Sequence, residues 1–363
     1  MKIACHAGQL LQPVPGGIGR YVTELLHELP LVGGEAVAFA AGPRPPAAPE
    51  RVPWIDIGWP RGSARYELWH RARRPAVRID ADVVHAPSLA VPPVHGAPLA
   101  VTVHDVAFLR LPENTTRRGA RFHRRGLDIA RREAALVLAP SAFTRAELMG
   151  EGFEPEDVVV VPLGVHRPPA RSEHEIDAIV SRLGVRDPFL LTVGTVEPRK
   201  DLPTIVDALQ RLRVRRPDLE LLVIGTRGWG EVRGLDRPGV RTLGWLPDDF
   251  VDACYRRARA CVIASRYEGY GLAALEAIVR GTPLVAADAS ALPEVVGDAG
   301  LLFPVGDADT LASMVEQILD DDALSTRLRG LGPARAATLT WEASARAHMD
   351  AFRLVIARQE RRR

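Results

Sequence analysis

The sequence predicts a two-domain α/β protein, each domain a parallel sheet wrapped by crossover helices, on three observations. Short apolar runs alternate with amphipathic segments of helix length, the alternation restarts once in mid-chain, and 363 residues suit two domains better than one. Apolar residues are 47% and charged residues 25% of the chain, a globular balance that excludes a disordered or fibrous protein.

The segment from Met1 to Gly8 is strand-like, and its apolar stretch is too short and too interrupted for an export signal. Val83-Val84, Leu99 to Val103, Leu136 to Leu138 and Val158 to Val161 follow as short buried runs, the pattern of strands covered on both faces. Between Gly164 and Arg186 the pattern lapses into Pro168-Pro169 and an acidic helical patch, so the hinge is placed near 165–185. The runs then restart with Phe189 to Val193, Leu219 to Ile224, Ala260 to Ala264 and Pro283 to Ala286. Helices are expected around Pro203 to Leu212 and over Leu272 to Arg280. The segment Trp341 to Arg363 reads as an amphipathic helix that packs back on the first half. Domains are therefore expected over 1–170, joined by 345–363, and over 171–344. Two Rossmann-like halves facing each other put a ligand in the cleft between them, at the carboxyl ends of the strands.

Composition narrows the classes. The longest stretch free of Asp, Glu, Lys and Arg, His85 to His104, is broken by Pro87, Pro92, Pro93 and Pro98 and does not read as a membrane span. Cys5, Cys254 and Cys261 lack the spacing of a disulfide framework or a zinc site, which fits a reducing cytoplasm. Net charge is only +2, and no nucleic-acid motif is present, so nucleic acid is not expected as a partner. The basic residues are arginines except Lys2 and Lys200. Lysine is a compact, mobile charge that arginine does not replace at every site, so Lys200 stands out.

Two motifs carry chemistry. In Glu268-Gly-Tyr-Gly-Leu-Ala-Ala-Leu-Glu276, two carboxylates bracket a helix start, and Gly269 and Gly271 allow the turn whose helix amides face the cleft. A nucleotide sugar has parts to match: sugar hydroxyls for Glu268, diphosphate for the amides of Tyr270, Gly271 and Leu272, ribose hydroxyls for Glu276. The plainer reading, two acids complementing a helix dipole, is weaker beside the second motif. That motif, Gly194-Thr-Val-Glu-Pro-Arg199-Lys200-Asp-Leu, sets two adjacent cations on a strand-to-helix loop, where they can neutralise a departing diphosphate. A solvated basic turn is the alternative; the scarcity of lysine and the loop position weigh against it.

Other motifs are weaker. Gly17-Ile-Gly19-Arg-Tyr-Val22 begins like a dinucleotide fingerprint but has Val22 for the third glycine and no acid ending a second strand, and no Gly-Lys-Ser/Thr exists for a P-loop. Asp80-Ala-Asp82 and Asp307-Ala-Asp309 look like metal-diphosphate triplets but sit at a strand entry and a helix start, where Asp is a routine turn residue. No metal and no other cofactor is expected, since Arg199, Lys200 and the helix amides supply the positive charge. Between 61 and 132, fourteen arginines face six acids, with Trp59, Tyr66 and Trp69 interleaved. Such a surface either contacts anionic lipid headgroups or is simply a solvated arginine face.

The two chemical motifs in this order resemble the donor half of retaining GT-B glycosyltransferases, specifically family four, in its mannosyltransferase-like group 1 branch. Gly16-Gly-Ile-Gly-Arg-Tyr21, His104-Asp105, Val161-Pro-Leu-Gly-Val165 and Ala291-Leu-Pro-Glu-Val295 extend the resemblance over nearly the whole chain. It implies a GT-B fold, with acceptor on the first domain and nucleotide sugar, as substrate, on the second. It further implies that Arg199 and Lys200 bind the diphosphate, Glu268 the transferred sugar and Glu276 the ribose, and that His104 bonds the donor sugar. Gly194 belongs to the same donor loop, Gly16 and Gly17 let an N-terminal loop approach the phosphates, and Asp105 orients His104 or its loop. GDP-mannose is the first expected donor, ahead of UDP-glucose, other UDP-sugars and dTDP-rhamnose. The acceptor is expected to be a glycan or lipid-linked hydroxyl, at the inner face of the cell membrane. Two rivals share the pocket: a nucleotide-sugar epimerase of the same fold, and a catalytically silent nucleotide-sugar-binding protein.

Overall fold

The computed structural model describes residues 1–362; Arg363, the last residue of the expected C-terminal helix, lies outside the described residues. The chain forms two compact units, which part between Gly164 and Val165 and again between Leu339 and Thr340; residues 113–115 group with the second unit.

Unit 1 is a seven-stranded sheet, all parallel, in the order β3-β2-β1-β4-β5-β6-β7. Its strands are β1 (Lys2–His6), β2 (Glu35–Ala40), β3 (Trp54–Asp56), β4 (Val83–Ala86), β5 (Leu99–Thr102), β6 (Leu136–Ala139) and β7 (Val158–Val160), joined by α1 (Gly16–Glu28), α2 (Gly62–Ala72), α3 (Ala107–Arg110), α4 (Arg117–Glu133) and α5 (Ala142–Gly150). Unit 2 opens with α6 (Glu173–Ser181), in the segment assigned to the hinge, started by a capping box between Ser172 and Glu175. Its six strands are β8 (Phe189–Val193), β9 (Glu220–Ile224), β10 (Val240–Gly244), β11 (Ala260–Ile263), β12 (Leu284–Ala287) and β13 (Gly300–Phe303). They run parallel in the order β10-β9-β8-β11-β12-β13, with α7 (Leu202–Arg213), α8 (Asp248–Arg257), α9 (Leu272–Val279), α10 (Leu292–Val296), α11 (Ala308–Asp320) and α12 (Asp322–Ala336) between them. Each sheet reverses strand order once, at β1/β4 and at β8/β11. In such sheets ligands bind outside the carboxyl ends of the strands at that reversal.

Four strands were not legible as apolar runs. β2 is half alanine, β3 is three residues long, β10 carries Arg241 and Thr242 on a half-exposed edge, and β13 opens with Gly300. Pairing with a buried neighbour makes these segments strands where intrinsic preference is weak.

α13 (Trp341–Arg362) closes unit 1, burying Trp341, Ala345, Phe352 and Val355. Buried hydrogen bonds with a defined direction seat it. His348 Nδ1 lies 2.8 Å from Ser344 O, a carbonyl that can only accept, so Nδ1 carries the proton and Nε2 accepts from Tyr21 Oη at 2.6 Å. Tyr21 Oη then accepts from Thr102 Oγ1 at 3.0 Å, and Thr102 Oγ1 accepts from His85 Nε2 at 2.8 Å. Burial holds both histidines neutral, lowering His348 to about 4 and His85 well below its ordinary value.

The basic stretch from 61 to 132 does not form one surface. Trp69 is in the core, Arg65 is buried, and Arg71, Arg73, Arg110 and Arg125 are paired with Glu67, Glu133, Glu147 and Glu67. Both Asp-x-Asp triplets have other work: Asp82 accepts from Lys2 N at 2.7 Å and Asp80 pairs with Lys2 Nζ at 3.1 Å, while Asp307 caps α11 through the amides of Asp309 and Thr310. The three cysteines are buried and free.

Candidate functional site

Loops after β8, β11 and β12 meet at the strand-order reversal of unit 2. The β8 loop ends in a 3-10 turn, Pro198–Lys200, and Asp201 follows at φ 48°. Arg266 N donates to Arg199 O at 2.9 Å, and the Arg266 guanidinium reaches Asp201 at 3.2 Å, so the β11 loop is tied to the β8 loop before their functional side chains are considered. The β12 loop joins through Ser290, at φ 51°, whose Oγ accepts from Glu268 N at 2.8 Å.

Within this frame Glu268 lies between both cations. Lys200 Nζ is 2.5 Å from Oε1, and Arg199 Nη1 is 3.1 Å from Oε2 and 2.6 Å from Tyr267 O. The other edge of the Arg199 guanidinium holds Glu197 Oε1, at 3.0 Å from Nε and 2.7 Å from Nη2. Side-chain exposure is 18% for Arg199 and Lys200, 12% for Glu268 and 2% for Glu197. Burial alone would raise the Glu268 carboxyl; the charges of Lys200 and Arg199 outweigh it and hold the group at about 2. The expected pair of bare cations is thus a charge-balanced cluster: Glu197 and Glu268 already face Arg199 and Lys200. An incoming diphosphate has to take over contacts that Glu268 now fills.

Gly194 follows β8 at φ 148°, and a Cβ there would meet the Lys200 stem, 3.5 Å from Cε. Gly194, Lys200 and Ser265 border a cavity of about 10 Å³. Gly271, at φ 110°, is the N-cap of α9; no side chain caps that helix and no acid lies in its first turn. The left-handed backbone needs glycine here, and the first amides of the helix are left for a partner outside it. Tyr270 is buried and Leu272 half-buried. Glu276 sits one turn into α9, its Oε2 accepting from Tyr255 Oη at 3.4 Å.

The remaining expected residues belong to unit 1. Gly16 and Gly17 are not loop residues but the first two of α1; only Gly16 needs glycine for its backbone (φ 62°), and a Cβ on either meets nothing within 4 Å. The loop expected there is a 3-10 turn, Gly8–Leu11. His104 follows β5, and its Nε2 donates to Pro87 O at 2.9 Å. Burial lowers its pKa, so Nδ1 keeps an unprotonated lone pair. Asp105 accepts from Ala107 N at 3.0 Å and shapes the turn into α3. Glu197, Asp201 and Ser290, which fix the cluster, were not singled out from sequence; the signal available for the first two was their place beside Arg199-Lys200. Among the described residues no group of three or more His, Cys, Asp or Glu is arranged to hold a metal ion.

Two family models match the chain, Glycosyltransferase Family 4 over residues 15–168 and Glycosyl transferases group 1 over residues 187–321. The O-antigen chain mannosyltransferase B of Escherichia coli is 32% identical, over 80% of this chain and 79% of its own. The MMP alpha-(1->4)-mannosyltransferase of Mycolicibacterium hassiacum is 29% identical, over 94% and 96%. Sucrose-phosphate synthase from Thermosynechococcus elongatus superposes with a TM-score of 0.76 at 21% identity, covering 98% of this chain and 99% of that one. Two Rossmann-like parallel-sheet units of this topology define a GT-B enzyme. Within that class the chain belongs to glycosyltransferase family four, the group 1 glycosyl transferases.

Proposed function

We propose that the protein is a retaining hexosyltransferase that moves mannose from GDP-mannose to a hydroxyl of a glycan or lipid-linked acceptor in bacterial cell-surface polysaccharide or glycolipid synthesis. The observation that carries the reading is the Glu268 carboxylate held between Lys200 and Arg199 beside the uncapped start of α9. The names of the two relatives above support mannose.

In this reading unit 2 binds the donor and unit 1 the acceptor. The donor diphosphate takes over Lys200 and Arg199 and meets the amides at Tyr270, Gly271 and Leu272, while Glu268 exchanges the cations for hydroxyls of the transferred sugar. Glu276 holds the ribose, Gly194 leaves the phosphates room, and His104 Nδ1 accepts a bond from a sugar hydroxyl. Gly16 and Gly17, exposed at the start of α1, leave space for phosphates and acceptor. As the anomeric bond breaks, charge builds on the diphosphate, where Lys200 and Arg199 stabilise it, and the departing phosphate takes the acceptor proton on the same face of the sugar. This charge stabilisation needs no metal.

Arg117, Arg121 and Arg124 recur at helical spacing on the exposed face of α4. We assign this face to an anionic membrane at the cytoplasmic side, where a lipid-linked acceptor would lie. No helix among the described residues is long and apolar enough to cross a membrane. Thermal-shift screening against GDP, UDP, dTDP and their sugars, with EDTA present, tests the donor. A selective rise with GDP and GDP-mannose is expected, and no response to any nucleotide would remove the donor-site assignment.

A further inference from the structure

At the carboxyl edge of β1, β2 and β3, unit 1 contains a cavity of about 270 Å³, bordered by His6, Gln12, Arg61, Gly62, Arg65 and Tyr66. Its size suits one sugar-sized group, small-molecule sites starting at roughly 300 Å³. Arg65 is 2% exposed. Its guanidinium donates from Nε to Pro60 O at 2.6 Å, and from Nη2 to Gly58 O at 2.7 Å and Ile57 O at 3.0 Å. All three acceptors are neutral, and among the described residues no carboxylate lies within 4.0 Å of this guanidinium. Asp56, the acid that acts on it through space, gives its oxygens to the amides of Gly42 and Gly58, at 2.9 and 2.8 Å, and to Arg61 at 3.4 Å. The guanidinium also lies over the Trp69 ring, 5.6 Å from its centroid. A full positive charge is thus buried at the cavity wall with neutral partners in contact and Asp56 acting only through space, an arrangement that an anion in the cavity would further offset.

The other walls agree in sign. Burial, with help from the Arg65 charge, lowers His6 to about 3, so the ring at the wall is neutral. Burial pushes the Tyr66 phenol up to about 12, keeping its proton available to donate. The helix α2 starts at Gly62 with no side-chain cap and no acid in its first turn, leaving its first amides in need of an acceptor. The guanidinium, the phenol and the helix start all belong to α2 and border the same cavity, so one element lines it with donors that suit an oxyanion.

We propose that this cavity binds the phosphate group of the acceptor, a phosphate ester of a sugar or polyol, with Arg65 and Tyr66 on its oxygens and Arg61 at the rim. The inference rests on the glycosyl-transfer reading and adds to it the class of acceptor. Calorimetric titration of the full chain with glucose 6-phosphate, glucuronate and glucose, beside GDP and UDP, tests it. Glucose 6-phosphate is expected to bind and glucose to show no heat. Both R65Q and the more conservative surface variant R61A should weaken the ester, R65Q by about tenfold, as for a lost charge-assisted contact, with nucleotide affinity unchanged as the sign that each variant is folded. Displacement of the ester by short-chain phosphatidic acid would place the phosphate on a lipid headgroup, and no displacement on a soluble ester; either supports the site. Equal binding of the ester by wild type and both variants, or tighter binding of glucuronate or glucose, would overturn it. A chain that binds the ester but no nucleotide would instead sink the donor-site reading and leave the cavity standing.

Discussion

Glu268 shares its two oxygens between Lys200 and Arg199, so replacing any of the three exposes the charge of another. Lys200→Ala is expected to lower kcat by about 100-fold or more while donor affinity falls only a few-fold, the split for a contact made chiefly in the transition state. Single-turnover rates and nucleotide-sugar titration would measure it; intact turnover with lost affinity would disprove the role. Glu268→Gln keeps the shape but leaves two cations facing one carboxylate, at a cost of about 2 kcal/mol. The depressed carboxyl gives this a pH signature: its stabilisation is complete above the ordinary range near 4.5 and lost as pH falls towards about 2. Urea midpoints of wild type and Glu268→Gln should therefore differ at pH 6 and converge near pH 2. At this scale the meeting of Lys200, Arg199 and Glu268 was legible because the three lie in two short sequence motifs. Ser290 and Arg65 were not, since the partner of one is 22 residues away and the other matters through an absent counter-ion.

The strands visible in sequence, β1, β4 to β9, β11 and β12, are short apolar runs that are mostly buried, whereas β2, β3, β10 and β13 depend on neighbours supplied by the sheet. That the C-terminal segment is a helix was readable from its amphipathic pattern, but its buried polar seat was not, because Tyr21 and His348 are 327 positions apart. Tyr21→Phe would strand His348 Nε2 and leave Thr102 Oγ1 without its acceptor, a loss of about 1–3 kcal/mol on denaturant unfolding. Acid should act through the same seat. His348 titrates near 4 in the folded chain and near 6.5 when unfolded, so the unfolded state takes up the extra proton as pH falls through that window. Stability should then drop by up to about 1.4 kcal/mol per pH unit for this histidine, and His348→Phe should flatten the slope between pH 6.5 and 4.5. An unchanged slope would mean that the ring is not held neutral. α9 makes a separate test of geometry. Gly271→Ala forces a side chain into a left-handed backbone, 3.0 Å from Leu292 Cδ2. Donor KM should rise with the shift of the helix start, with a stability loss of about 1 kcal/mol.

For the molecule as a whole, the arginine face of α4 is the feature with reach beyond a single site. Replacing Arg117, Arg121 and Arg124 by Gln should abolish sedimentation with vesicles containing anionic lipid and leave neutral vesicles unaffected, with a salt dependence that the wild type alone shows. Unit 1 is assembled from both ends of the described chain, with Val165 to Leu339 threaded between its parts. Vectorial synthesis therefore presents the two units with different problems. Nearly all of unit 2 is one continuous stretch, able to fold as it leaves the ribosome, while the earlier-made sheet of unit 1 must wait, its apolar groove and the Tyr21 hydroxyl uncovered, until the helix Trp341–Arg362 emerges. A nascent chain halted before residue 340 should accordingly carry a protease-resistant second unit beside a first unit still sensitive to cleavage and dependent on chaperones.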